Sequence, residues 1–78
     1  MVVYVTAVEP QDGYRLLVTF ENGERRLFDC AELLEKRVYA PLRNKGFFDL
    51  VRAEYGTAVW DGCIDIAPEH LYERGVTV

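Results

Sequence analysis

Seventy-eight residues with a net charge of −4, half of them hydrophobic and 28% charged, describe one globular domain rather than a disordered chain. A chain this short buries only about 60–65% of its unfolded surface, so its core is thin. No apolar run approaches the roughly 18–20 residues that cross a bilayer, and the opening MVVYVTAVEP lacks the basic region and apolar core of a signal peptide, which excludes a membrane helix and predicts a cytoplasmic protein.

The first element is a strand over Val2 to Val8, where β-branched and aromatic residues dominate until Glu9-Pro10 ends the run. Gln11-Asp12-Gly13 is turn chemistry. From Tyr14 to Phe20 the alternation is clear: Tyr14, Leu16, Val18 and Phe20 fall on one face, with Arg15 and Thr19 opposite. Asn22-Gly23 predicts a two-residue type I′ hairpin, because both residues accept the left-handed backbone that this turn needs. Glu24 to Phe28 is the return strand.

Asp29 then predicts a helix start. It forms a capping box with Glu32, while Phe28 and Leu33 fit a hydrophobic staple. The helix runs from Cys30 to about Lys36, where Lys36 and Arg37 suit its negative end. Ala40 to Gly46 reads as a proline-opened turn closed by glycine. Phe47, Phe48, Leu50 and Val51 are too apolar for a solvated loop and cover one end of the sheet.

Arg52 to Tyr55 and Thr57 to Trp60 make a hairpin about Gly56, followed by a bend at Asp61-Gly62 and an extended link over Ile64 to Ile66. Pro68 opens a helix with Glu69 in its first turn, Leu71 meets Ile66 as a second staple, and Gly75 closes the helix. Val76 to Val78 is a frayed tail or a short edge strand. Together these predict an α+β domain over residues 1–78. Its expected form is a single-layer antiparallel sheet in the order β-β-β-α-β-β-α, with the helices packed on one face.

Taken in order, an opening strand, the run Tyr14-x-Leu16-x-Val18-x-Phe20-x-Asn22-Gly23-Glu24, Phe28-Asp29, a Leu-Leu pair, Leu42…Phe48 and Val59-Trp60-Asp61-Gly62…Ile64-Asp65-Ile66…Leu71-Tyr72 resemble the bacterial family catalogued as domain of unknown function 2442. The family form commonly carries a proline after the tryptophan, where this chain has Asp61. The resemblance implies a small α+β domain with no established biochemical activity. Some members of that family carry a C-terminal helix-turn-helix domain, and others are encoded beside a second small protein, which has prompted antitoxin-like interpretations. With the chain stopping at Val78, direct regulation of transcription is not expected.

The chemistry-bearing residues are few. There is no serine, and His70 is the sole imidazole. A Cys63–His70 dyad would require residues 64–69 to fold back sharply, so His70 is expected on the exposed side of its helix. Asp61, Cys63, Asp65, Glu69 and His70 crowd together but match neither zinc nor calcium ligand spacing, and they read as solvated caps of a turn and a helix. Cys30 and Cys63 are expected as reduced thiols, with a disulfide as the alternative. No cofactor, metal or catalytic residue is expected, and the chain reads as a non-enzyme.

Charge is segregated. Residues 36–52 carry Lys36, Arg37, Arg43, Lys45 and Arg52 against Asp49, between acidic flanks. The candidate interaction residues are those five cations with Tyr39, Trp60 and Tyr72. Trp60 reads either as core or as an interface anchor, and the tyrosines are too numerous for all to be buried. The expected role is a protein-interaction module that binds a partner protein or itself. The alternative is nucleic-acid binding through the basic segment 36–52, with Tyr39, Phe47 and Phe48 interleaved.

Overall fold

A computed structural model describes residues 3–78, so Val2, expected in the first strand, lies outside the described residues. The strands are β1 (Val5–Gln11), β2 (Arg15–Phe20), β3 (Arg25–Asp29), β4 (Arg52–Glu54), β5 (Thr57–Trp60), β6 (Ile64–Ile66) and β7 (Val76–Thr77). Two 3-10 segments (Leu33–Glu35 and Arg37–Arg43) and a single α-turn, α1 (Lys45–Phe48), lie between β3 and β4. A second helix, α2 (Pro68–Arg74), precedes β7.

The class is α+β, as expected, but the strands form two antiparallel sheets rather than one layer. One has the order β1-β2-β3-β7 and the other β4-β5-β6. The reason lies in β5. Its four residues Thr57, Ala58, Val59 and Trp60 are all buried, and a sheet with one wet face cannot supply that. Ala58 and Trp60 join Ile64 and Ile66 against Leu16, Val18, Phe20 and Phe28 from the larger sheet, so the inner faces share one core. The sheets also touch through the backbone, where the Val5 amide donates to the Gly56 carbonyl at 2.8 Å.

Local details differ from the periodicity in instructive ways. β1 runs on through Glu9 and Pro10 to Gln11, because a proline lacking its N–H is harmless on an edge strand. Tyr14 leaves the alternation: it sits before β2 with φ 58°, its ring edge-on to Phe48 with 5.3 Å between ring centroids and its hydroxyl donating to the Arg43 carbonyl at 2.5 Å. The β2–β3 turn is not type I′. Of Asn22 and Gly23, only Gly23 is left-handed, and the Gly23 amide bonds the Phe20 carbonyl at 2.9 Å, as in a type I turn followed by a left-handed glycine. Asn22 accepts the Glu24 amide on its side-chain oxygen at 3.0 Å, a local bond that holds this alternative.

The helix expected over Cys30 to Lys36 does not form. Asp29 is the last residue of β3, and its carboxylate takes the Ala31 amide at 2.9 Å rather than that of Glu32. The chain instead makes a 3-10 turn, extends at Lys36 (φ −87°, ψ 140°) and makes another. A seven-residue helix is too short to be favoured by propensity alone, and tertiary contacts decide here. The side chain of Arg43 donates to the Leu34 carbonyl at 2.6 Å, tying the second segment to the first. Phe48 on α1 is fully buried, as the apolar run predicted, while Leu50 remains exposed.

Ile64 to Ile66, read as an extended link, is a strand paired with β5. Pro68 is indeed in the first turn of α2. Gly75 ends the helix for a different reason from a left-handed cap, since its backbone is extended (φ −72°, ψ 148°). A Cβ there would lie 2.6 Å from the Leu71 carbonyl and 2.9 Å from the Arg26 Cβ, so only glycine lets the chain turn this close to β3. The last residues then pair with β3 as the edge strand β7.

Candidate interaction surface

The residues singled out by sequence do not form one site. Of the five cations in the basic segment, Arg43 is bonded to Leu34, Lys45 pairs with Asp49 at 2.5 Å, and Arg52 bridges Glu54 and Asp61, the latter at 3.0 Å. Lys36 and Arg37 are exposed, with no ion pair among the described residues. Arg52 is held in its charged form by the hydrogen bonds it donates to Glu54 and then to Asp61. Trp60 is core: it is 2% exposed, its indole N–H donates to the Phe48 carbonyl at 2.9 Å, and its ring lies 5.9 Å from that of Phe48. Tyr39 is half-buried, and its hydroxyl donates to the Asp65 carbonyl on β6 at 2.9 Å. Burial is the main cause that raises its pKa.

Tyr72 sits in a clamp between α2 and the β2–β3 hairpin. The Arg26 guanidinium lies 3.8 Å from the centre of the Tyr72 ring, donates to the Tyr72 carbonyl at 2.7 Å and pairs with Glu24 at 2.9 Å. The Tyr72 hydroxyl donates to the other Glu24 oxygen, and Asn22 donates to the same carboxylate at 2.8 Å. Phe20 meets the ring edge-on, with 5.0 Å between centroids. These bonds to the ionised form, Tyr72 first, then Arg26 and Asn22, hold the Glu24 carboxyl below the usual carboxylate range. Glu24 in turn raises the Arg26 pKa.

Among the described residues, nucleophilic and metal chemistry find no assembled geometry. His70 packs edge-on against Phe28 with 5.4 Å between ring centroids, whereas Cys63 is exposed in the loop after β5. Cys30 is buried and unpaired, and burial, with the Asp29 charge behind it, pushes its thiol up to about 12. Among the described residues no group of three or more His, Cys, Asp or Glu side chains is arranged to hold a metal ion. An open groove of about 470 Å³ between β3, the first 3-10 turn and α2 mixes Asp29 and Glu32 with Lys36, His70 and Arg74 over Phe28 and Leu33.

One surface stands out, and the sequence did not name it. Tyr55 and Gly56 form the two-residue turn between β4 and β5, and both are left-handed (φ 55° and 76°), as a type I′ turn requires. Tyrosine is an unfavourable residue at the first of these positions. The residue is 90% exposed, so burial does not offset that strain. Tyr4, 49% exposed, lies directly against Gly56: a Cβ on Gly56 would come within 2.5 Å of the Tyr4 ring. Two exposed aromatic rings thus flank the seam between the sheets. The surplus of tyrosines was visible beforehand, but not which ones would face water.

Two small antiparallel sheets closed on a single core, with short helical turns between and after them, define a small α+β domain. The chain belongs to the family described as a protein of unknown function, DUF2442, whose model matches residues 5–77. No curated protein and no solved structure matches the chain. Among the described residues no helix is long and apolar enough to cross a membrane.

Proposed function

We propose that this domain is a non-enzymatic interaction module that docks a partner protein through the surface bearing Tyr4 and Tyr55. It would serve as an accessory component in the bacterial cytoplasm, with an antitoxin-like pairing to a second small protein among the arrangements this reading allows. The observation that carries it is Tyr55, a large aromatic side chain 90% exposed on a left-handed backbone. A strained residue with no internal compensation is expected where something outside the molecule uses it. Tyrosine is also among the residue types that dominate binding energy at protein interfaces.

Nucleic-acid binding through residues 36–52 has less support, because three of its five cations already bond within the domain. Affinity capture with the intact chain, alongside Tyr55→Asn, tests the proposal. A stoichiometric partner, or a second copy seen as doubled mass in sedimentation, should be retained by the wild type and lost by the variant. Recovery of the same proteins by both baits, or a strictly monomeric chain that retains nothing, overturns it.

A further inference from the structure

In the larger sheet Leu16, Val18, Phe20 and Phe28 point into the core, so the residues between them in the pleat point the other way. The register sets Glu9, Leu17, Leu27 and Val76 side by side in one row across all four strands. Leu17 and Leu27 are half-buried, yet among the described residues neither packs against the core, and Val76 is 68% exposed. Along β3 the outward positions are Arg25, Leu27 and Asp29, a cation and an anion at equal distance on either side of an apolar centre. The ionised groups of this face are Glu9 and Asp29 against Arg15 and Arg25, which cancel, in a chain whose total is −4. Arg25 lies 3.9 Å from Glu9 with both side chains more than half exposed, a loose pair of little worth in water. Asp29 takes the Ala31 amide on Oδ1 and makes no ion pair among the described residues.

We propose that this face packs on the same face of a second copy, with the two-fold axis running along the row of Leu17, Leu27 and Val76. It goes beyond the docking of a partner at Tyr4 and Tyr55, because it uses a different surface. An axis along the row reverses the strand direction between copies, so each apolar residue of the row meets its own counterpart. Arg25 then comes opposite the partner's Asp29, and the contact occurs twice. Sheets packed face to face lie about 10 Å apart, a gap that an arginine side chain spans to reach a carboxylate. An axis along the strands would set like charges of β3 against each other, so charge selects the first arrangement. A uniformly acidic or basic partner would leave one of these charges opposed, which is why a second copy fits and a nucleic acid does not. Glu9 approaches its own counterpart at the rim, where solvent screens the repulsion. With strands about 4.8 Å apart, a four-stranded face is only about 20 Å wide. The total area buried therefore falls below ~1,200 Å², and the dimer is a weak one.

The test is sedimentation equilibrium of the intact chain from about 10 µM to about 1 mM, where the mass should rise from monomer to dimer with a dissociation constant on the order of 100 µM. Leu27→Lys, which brings two ammonium groups together on the axis, should weaken the dimer at least roughly tenfold. Arg25→Asp and Asp29→Arg should each do the same, because each sets like charges opposite one another. An equimolar mixture of Arg25→Asp with Asp29→Arg should dimerise about as tightly as the wild type, since the mixed pair is complementary again at both contacts. A variant that had merely lost its fold could not be rescued in this way. A chain that stays monomeric throughout, a dimer indifferent to Leu27→Lys, or a mixture that fails to pair would overturn the assignment. Tyr55→Asn should leave this dimer intact. A dimer lost with Tyr55→Asn and kept by Leu27→Lys would belong to the hairpin surface, so that the interaction module stands and the sheet-face dimer falls.

Discussion

Tyr72 and Tyr55 occupy opposite situations in one small molecule. Tyr72 is half-buried, its hydroxyl on Glu24, its ring between Arg26 and Phe20, and its backbone in a helix. Tyr55 has none of this: it is exposed at a hairpin tip in a backbone region that tyrosine rarely adopts. The first is a side chain the fold depends on, and the second is one the fold would be better without. The same contrast separates the two thiols, Cys30 in the core and Cys63 in an exposed left-handed turn (φ 62°). Buried groups here report on folding, and exposed strained ones point outward.

The sharpest way to separate the two regions is thiol labelling with an aromatic disulfide at pH 8. Cys63 should react in the native state while Cys30, with its thiol pushed up to about 12, waits for unfolding. The rate ratio should be on the order of a thousandfold, collapsing in denaturant. Equal native rates would mean that the core around Cys30 opens freely.

Next in size is the loss of the clamp. Tyr72→Ala removes the ring from Arg26 and Phe20 and should lower unfolding free energy by about 2 kcal/mol, read from urea midpoints. A change near zero would make the clamp ornamental and cancel the distinction from Tyr55.

The clamp also has a pH signature. The Glu24 carboxyl titrates lower in the folded chain than in the unfolded one, so its contribution is fully present above the unfolded value and fades as the pH falls through the folded one. Glu24→Gln should therefore be less stable than wild type near neutrality and converge with it in acid. Parallel stability curves down to the acid limit would show that the carboxylate is not the linked group.

The smallest effect has the opposite sign. Tyr55→Asn replaces a residue that resists the left-handed region with one that tolerates it, and should raise stability by about 0.5–1 kcal/mol. Destabilisation on the same scale would show that Tyr55 makes internal contacts after all, and would remove the basis for treating it as a contact residue.

Much of the sheet was legible from local pattern. Leu16, Val18 and Phe20 alternate as expected and are buried, the glycines at 23, 56 and 62 mark turns, and Pro68 opens α2. The candidate cations were far less legible, because charge along a chain does not say which side chains find partners. Arg43 and Arg52 look free in sequence and are bonded in space. Trp60 was ambiguous for the same reason, since its bulk suits a core or an interface equally until the Phe48 carbonyl is seen above its N–H.

What the sequence by itself determined was the α+β class, most strand cores and the family, all of which follow from period, turn residues and their order. Only the tertiary structure decided that the strands divide into two sheets, that a 3-10 turn at Leu33–Glu35 stands where a helix over Cys30 to Lys36 was expected, and which tyrosines face water. Those outcomes depend on contacts between residues far apart in the chain, such as Val5 with Gly56 and Arg26 with Tyr72, whose energies exceed the weak local preferences that a linear pattern expresses.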